Sequence, residues 1–122
     1  KRSKYNLIKI FDKLKKKNCK LPVIISKNSY VSKETKIGEG TIIMHNVVIN
    51  AKVEIGKNCI INTKSLVEHD TIIGDHCHVS TGVIINGSCI ILSNTFLGTG
   101  SVILNNVKCK KKIISAGQII KN

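Results

Sequence analysis

Imidazole and carboxylate side chains are concentrated in one short stretch of the chain, Val67–Ser80. The stretch holds three of the four histidines, His69, His76 and His78, and Asp70 directly follows the first of them. Side chains of these types carry many of the proton transfers in enzymes. A solitary histidine on a regular fold is nevertheless more often a solvated surface residue, and Asp70 could simply form a turn. The secondary structure predicted around this stretch is therefore needed to distinguish a catalytic site from a solvated surface.

A six-residue repeat runs through this stretch and through most of the chain. Every sixth residue from Val31 is aliphatic, and the residue four places after each of them is small or β-branched. The aliphatic positions are Val31, Ile37, Ile43, Ile49, Ile55, Ile61, Val67, Ile73, Val79, Ile85, Ile91, Leu97 and Ile103. Glycine directly follows four of them, at Gly38, Gly56, Gly74 and Gly98. Neither a helix nor an alternating strand has this pattern, so it predicts a solenoid.

Two segments depart from the repeat. Residues 4–17 place apolar side chains, among them Tyr5 and Phe11, at helical spacing with lysines opposite. They predict a basic amphipathic helix that packs on a neighbouring domain or coil and ends at Asn18, followed by a short strand over residues 21–25. Near the other end, one step of the repeat is five residues long instead of six, because the repeat position after Cys109 is Ile114. This step predicts a distorted turn.

The composition fits one domain of 122 residues and argues against several partners. The net charge of +13 comes almost entirely from lysines, gathered in residues 13–20 and 108–112 without interleaved aromatic side chains. Base stacking is therefore poorly provided for, and no nucleic-acid partner is expected. The five cysteines lack CxxC spacing and suggest core thiols in a reducing compartment. Without an apolar run of membrane-span length or a signal peptide, we expect a cytoplasmic protein with no membrane partner.

The repeat resembles the hexapeptide repeat of left-handed parallel β-helix acyltransferases, and the likeness covers about two-thirds of the chain. The resemblance implies an all-β fold in which three hexads close a triangular coil of about 18 residues. The aliphatic residue would fill the interior, and the small residue would fit near a corner. Residues one coil apart would stack, so His69 should lie between Ala51 and Gly87.

Within this family, three short matches look most like the sialic-acid-type and bacillosamine-type sugar acetyltransferases. They are Glu68-His69-Asp70, residues 73–80 and Asn86-Gly87. The resemblance implies that acetyl-CoA is the co-substrate and that an amino group of a nucleotide-linked amino sugar accepts the acetyl group. Acetylation of a sugar hydroxyl is the alternative. Either reaction would serve the synthesis of a glycan, capsule or lipopolysaccharide precursor.

The same resemblance implies a role for each matched residue. His69 would be the general base, Asp70 would hold and polarise its imidazole, and Gly87 would donate its N–H to the thioester carbonyl. The expected acetyl-CoA contacts are His78 near a corner, Thr99 and the backbone of Ala116. The lysines of residues 108–112 would attract the phosphates of acetyl-CoA, and no metal is expected.

The resemblance also implies a homotrimer, because outward catalytic groups in this family need a neighbouring coil to wall the pocket. Residues 1–30 are expected to be the last helix and strand of a Rossmann-like α/β domain. Residues 31–122 would form the left-handed β-helix acyltransferase domain, with a C-terminal tail shorter than is usual in the family.

Two other functions use the same type of fold. The γ-class carbonic anhydrases bind a metal through a His-x4-His pair and a third histidine, but the successive histidine spacings here are 24, 7 and 2. A non-catalytic scaffold solenoid would show regular polar ladders, which the inserted histidines interrupt. His45 and His76 have no counterpart in the family motif and are expected at the surface.

Overall fold

The structure is a computed structural model that describes residues 2–122, with side chains from residue 6 onward. It begins with one helix, α1 (Arg2–Lys16), close to the predicted span. The side chain of Tyr5, assigned to the apolar stripe of this helix, lies outside the described ones. Asn18 ends the helix as expected, because it takes a left-handed φ of 59° and the following Cys19 N–H donates to Leu14 O at 3.1 Å.

Short parallel strands of two residues each make up the rest of the fold. They are β1 (Ile24–Ile25), β2 (Tyr30–Val31), β3 (Lys36–Ile37), β4 (Ile42–Ile43), β5 (Val48–Ile49), β6 (Glu54–Ile55), β7 (Ile60–Ile61), β8 (Leu66–Val67), β9 (Ile72–Ile73), β10 (His78–Val79), β11 (Ile84–Ile85), β12 (Ile90–Ile91), β13 (Phe96–Leu97), β14 (Val102–Ile103), β15 (Lys108–Cys109), β16 (Ile113–Ile114) and β17 (Ile119–Ile120).

The strands form three flat sheets around one interior. Sheet A contains β1, β4, β7, β10, β13 and β16, sheet B contains β2, β5, β8, β11, β14 and β17, and sheet C contains β3, β6, β9, β12 and β15. Partners in adjacent coils lie 18 residues apart, as in His78 with Ile60. The fold is the predicted left-handed parallel β-helix, of about five coils. We call its corners AB, BC and CA after the sheets that each one joins.

Both columns of the repeat point into the interior as predicted. In each strand from β4 to β14 the second residue is aliphatic and at most 4% exposed. These aliphatic side chains fill a core that has few aromatic rings. The small position is buried too, and its polar side chains satisfy backbone carbonyls of the next coil. Thr41 Oγ1 donates to Gly56 O at 2.7 Å, and Cys59 Sγ donates to Gly74 O at 3.1 Å. A larger side chain would leave these buried carbonyls without a partner.

Four of the cysteines belong to this core. Cys59, Cys77, Cys89 and Cys109 are at most 2% exposed, and no disulfide forms among the described residues. A hydrogen bond with the Cys77 side chain and burial raise the pKa of the Cys59 thiol, and burial raises the pKa of Cys89 and Cys109. The thiols of Cys59, Cys89 and Cys109 therefore stay protonated at neutral pH and act as small apolar donors.

The glycines after the aliphatic residues do not serve to supply turn conformations. Gly38, Gly56, Gly74 and Gly98 do not have a left-handed φ. A Cβ on Gly98 would instead lie 2.5 Å from Ala116 N, so these positions need glycine because the next coil is close. The left-handed turn position takes residues as different as Asn46, Lys52, Asp70 and His76.

The shortened hexad is accommodated as a distorted turn. Phe96 pairs with Ile113, which is 17 residues away, and β16 still continues sheet A. The β-helix also starts earlier than residue 31. Ile24 pairs with Ile42, so the strand that we assigned to a preceding α/β domain is the first strand of sheet A. Its two isoleucines have the spacing of the repeat, which local strand propensity alone did not reveal.

Helix α1 packs against corner CA. Phe11 is 8% exposed and its ring meets His76 edge-on, with centroids 5.4 Å apart. Gly40 leaves room for this ring, since a Cβ there would lie 3.1 Å from Phe11 Cε1. Lys15 Nζ lies 2.6 Å from Glu39 Oε1. Within the part of the chain that the structure describes, no helix has the length and apolar character that a membrane span requires.

Candidate active site

His69 and Asp70 form the turn between β8 and β9 at corner BC. His69 Nδ1 lies 2.9 Å from Asp70 Oδ2. Because an ionised carboxylate can only accept hydrogen bonds, this contact favours the neutral tautomer that has its proton on Nδ1 and its lone pair on Nε2. The two side chains are 57% and 53% exposed, so a ligand can reach Nε2 from solvent. The pair has the geometry of an oriented general base.

The imidazole of His69 lies over Gly87, as the stacking of coils predicted. The backbone joins the two coils here, because Ser88 N–H donates to His69 O at 2.9 Å. A Cβ on Gly87 would lie 2.6 Å from His69 Nε2 and 2.7 Å from Cε1. The φ of Gly87 is not left-handed, so glycine is required here for space. Residue 87 thus determines where the ring of His69 can rest.

The N–H of Gly87 is suited to bind an oxygen atom. Gly87 is buried, and in the described part of the chain its N–H donates to no other residue. Buried backbone donors ordinarily have a partner. A carbonyl oxygen of a ligand that reaches His69 would supply one.

Asp70 alone holds His69, although a carboxylate flanks the histidine on each side. Glu68 Oε1 accepts a hydrogen bond from Asn50 Nδ2, one coil below, on the outer surface of sheet B. The sequence analysis missed this pair. The spacing of one coil between Asn50 and Glu68 is the signal that could have found it.

An open groove of about 440 Å³ begins beside Asp70 and runs over sheet C. Its lining is mostly charged and consists of Glu34, Lys36, Lys52, Glu54, Asp70 and Ile72. A polar acceptor molecule lying in this groove would be next to the imidazole of His69. Its shape and lining suit a hydrophilic ligand better than an apolar one.

His78 is not part of the same corner. It belongs to β10 in the middle of sheet A, so our expectation that it lies near a corner is wrong. Its ring meets Phe96 edge-on, with centroids 5.3 Å apart and planes at 78°. Phe96 is one coil further on, and this contact was also missed. In a triangular coil, sheet A faces corner BC across the interior, so one chain does not bring His78 to His69.

Thr99 and Ala116 come together at corner AB. Gly117 N–H donates to Thr99 O at 2.9 Å, which stacks the two turns. Both residues are exposed. Corners AB and BC are the two edges of sheet B, so Thr99 and Ala116 lie across this sheet from Gly87. The outward side chains between them are apolar, as in Ile84 and Ile119, which are 38% and 65% exposed.

The other two histidines have different surroundings. His45 is exposed as expected, and its Nδ1 lies 2.6 Å from Ser26 Oγ at corner AB. His76 is not a plain surface residue, which corrects our expectation. It is half-buried between Phe11 and Asn58, whose Nδ2 lies 2.9 Å from His76 Nδ1. The helix that covers His76 could not be placed from the repeat.

The lysines of residues 110–112 connect β15 to β16 at corner CA, away from both His69 and Thr99. Lys112 Nζ donates to Ser93 O at 2.6 Å. Among the described residues, no three histidine, cysteine or acidic side chains are arranged to hold a metal ion.

Comparisons with known proteins agree with this fold. The family model described as bacterial transferase hexapeptide (six repeats) matches residues 34–69. No curated protein sequence gives a significant match. PerB from Caulobacter crescentus, solved with CoA and GDP-perosamine, is similar with 30% identity and a TM-score of 0.89 over 93% of this chain and 55% of that chain.

Two further solved structures are similar to the same degree. The acetyltransferase domain of PglB from Neisseria gonorrhoeae FA1090 shares 27% identity, with a TM-score of 0.89 over 93% of this chain and 56% of that chain. A histidine-to-asparagine variant of perosamine N-acetyltransferase from Caulobacter crescentus, with CoA and GDP-perosamine, shares 29% identity. Its TM-score is 0.89 over 93% of this chain and 54% of that chain. The chain thus spans little more than half the length of these proteins. By its repeat and by its left-handed parallel β-helix fold, the chain is similar to hexapeptide-repeat acyltransferases.

Proposed function

We propose that this β-helix belongs to an N-acetyltransferase that uses acetyl-CoA and acts on an amino group of a nucleotide-linked amino sugar. The observation that carries the proposal is the imidazole of His69, which Asp70 contacts at Nδ1 and which lies over Gly87. Similar solved structures that bind CoA and GDP-perosamine support the choice of both substrates. Synthesis of a glycan, capsule or lipopolysaccharide precursor in the cytoplasm would provide such an acceptor.

In this reaction His69 Nε2 accepts a proton from the attacking amine. Asp70 keeps the proton on Nδ1 and stabilises the imidazolium that forms. The N–H of Gly87 donates to the acyl oxygen, whose negative charge grows as the amine adds. The new C–N bond forms and the C–S bond breaks, and His69 then returns the proton to the departing thiolate. No covalent intermediate with the protein is needed.

The chain offers a surface that fits acetyl-CoA. At one edge of sheet B the N–H of Gly87 has no partner among the described residues, and Thr99 and Ala116 are exposed at the other edge. The apolar side chains of Ile84 and Ile119 lie between the two edges and suit the pantetheine arm. When bound, the thioester supplies an activated acetyl group.

A homotrimer would complete the site. His78 lies on sheet A, so it can contact acetyl-CoA near His69 only if a second copy supplies it. A cyclic assembly that sets sheet A of one copy beside corner BC of the next has this property.

Mixed assemblies test the arrangement between copies. Trimers refolded from equal amounts of the variants His69→Ala and His78→Ala should have both histidines at about a quarter of their sites, because a site is complete only where one copy supplies His69 and its neighbour supplies His78. The measurement is the acetyl-transfer rate, together with the mass by light scattering. A monomeric mass, or no recovery in the mixture, would contradict the proposed assembly.

Acetyl transfer tests the reaction itself. The purified protein should transfer acetyl from acetyl-CoA to UDP- and GDP-linked amino sugars, with one thiol released per acetylated amine. The same nucleotide sugars with a hydroxyl in place of the amine are the matched control. Transfer to the hydroxyl sugars alone would favour O-acetylation of the sialic-acid type. No transfer to either group would leave a non-catalytic solenoid as the better description.

A further inference from the structure

We infer that Asn105 is a positioning residue for the attacking amine, and that it favours an amine over a hydroxyl as the acceptor. The inference rests on the proposed function, which it extends from the base to the group that the base deprotonates. Asn105 was not singled out by any motif. It lies in the turn between β14 and β15 at corner BC, in the same column as His69 and Gly87.

Backbone contacts establish this column. Ser88 N–H donates to His69 O at 2.9 Å, and Asn106 N–H donates to Gly87 O at 3.0 Å. The turn at Asn105 therefore stacks directly above the turn at Gly87, and that turn stacks above His69. Asn105 is exposed, and its side chain makes no hydrogen bond with the described residues.

Polar side chains at other corners link one coil to the next. At corner CA, Asp75 Oδ1 accepts from Lys57 N at 2.8 Å, and Ser93 Oγ accepts from Asp75 N at 2.8 Å. In the corresponding column of corner BC, His69 bonds to its neighbour Asp70 and Gly87 has no side chain. We call the space beside Gly87, between the imidazole of His69 and the turn at Asn105, the notch.

The size of the notch suits one ligand atom. His69 Nε2 lies 2.6 Å from the place where a Cβ of residue 87 would be. The Cβ of Asn105 lies one coil further along the axis, about 4.8 Å away. The side-chain amide, two bonds beyond that Cβ, can approach to about 5 or 6 Å from Nε2, which is the length of two hydrogen bonds in series. A nitrogen atom between them would bond to both.

The hydrogen-bonding chemistry of His69 and Asn105 distinguishes an amine from a hydroxyl as the group that receives the acetyl. A neutral amine has two N–H groups, so one can point to His69 Nε2 and the other to Asn105 Oδ1 while the lone pair attacks the acyl carbon. The proton given to Nε2 is the one lost as the C–N bond forms, and the second proton stays in the amide product. A hydroxyl has only one hydrogen, so it cannot donate to both His69 Nε2 and Asn105 Oδ1. Asn105 therefore helps to select an amine.

Two substitutions of Asn105 test this role by the kinetics of acetyl transfer to the amino sugar. Asn105→Ala should lower kcat by roughly tenfold, the effect of one lost neutral hydrogen bond, with a much smaller change in the KM for acetyl-CoA. Asn105→Asp keeps an acceptor oxygen and should restore most of kcat. Asn106→Gly is the matched control, because it removes the adjacent amide while glycine tolerates the φ of 63° there.

The outcomes separate this inference from the proposed function. An Asn105→Ala enzyme with wild-type kcat would overturn the inference alone, provided that wild type acetylates the amine. An Asn105→Asp variant slower than Asn105→Ala would show that the amide acts as a donor, which also overturns it. If wild type acetylates no amine, the proposed function and the inference both fail.

Discussion

Replacing His69 with alanine should lower kcat for acetyl transfer by roughly 10²–10⁴-fold, the usual contribution of a general base. The variant loses the imidazole that Asp70 contacts, whose Nε2 is the nearest described atom to the Cβ position of Gly87. The KM for acetyl-CoA should change little, because the ring is expected to act on the amine. The fold should be unaffected, since this side chain is 57% exposed and packs in no core. The measurement is steady-state kinetics with the amino sugar, together with a thermal melt.

His45→Ala provides the control for this experiment. His45 is also an exposed histidine at a corner, and it bonds to a neighbouring side chain, Ser26, at 2.6 Å. It lies at corner AB, so its removal should leave kcat within about twofold of wild type, as for most surface substitutions. Asp70→Asn should fall between the two, because an amide can still contact Nδ1 but does not stabilise an imidazolium. Equal rates for His69→Ala and wild type would return His69 to the surface and remove the base from the proposal.

The repeat carries most of what can be predicted about this fold. Aliphatic residues every sixth position determine which side chains fill the interior, and the coil length that follows puts Gly87 over His69. That stacking required no knowledge of side-chain conformation. The same coil length also pairs His78 with Phe96 and Glu68 with Asn50, so both contacts were predictable from the repeat.

Other features depend on conformations that the repeat does not encode. Glu68 and Asp70 flank His69 equally in sequence, but in the structure Asp70, which has a left-handed φ of 60°, contacts Nδ1, whereas Glu68 bonds to Asn50. The covering of His76 depends on where α1 docks, and this docking is a contact between distant segments. The position of His78 on sheet A, opposite corner BC, follows from the order of the strands in the sheets. The repeat alone does not show which residues lie on strands and which lie at corners.

Replacing Gly87 with alanine should disable the site while leaving the fold intact. The new Cβ would lie 2.6 Å from His69 Nε2, 2.7 Å from Cε1 and 3.2 Å from Cδ2, so the imidazole must move. The ring is the far end of a flexible, exposed side chain, and it can rotate away at little cost. The φ of Gly87 is not left-handed, so alanine fits the backbone. A displacement of about 1 Å in a catalytic group can cost roughly 100-fold in rate, and we expect an effect of that size on kcat.

Two other glycines separate this effect from loss of stability. A Cβ on Gly98 would meet backbone atoms, Ala116 N at 2.5 Å and Ile114 O at 2.7 Å, so Gly98→Ala should lower the melting temperature. Gly82 has open space around its Cβ position but a φ of 68°. Gly82→Ala should therefore cost about 1 kcal/mol of stability and keep its kcat. Gly87→Ala should show the opposite pattern, with a near-wild-type melt and a large loss of rate.

A double substitution shows whether Gly87→Ala acts through the imidazole. If alanine at residue 87 only displaces the ring, it should have little further effect once His69 is already alanine, and the two losses should be strongly non-additive. Additive losses would mean that residue 87 acts independently, for example through its N–H and the acyl oxygen. A Gly87→Ala enzyme with wild-type kcat would show that the ring need not rest where the structure puts it, and the orientation of His69 would then lose its place in the mechanism.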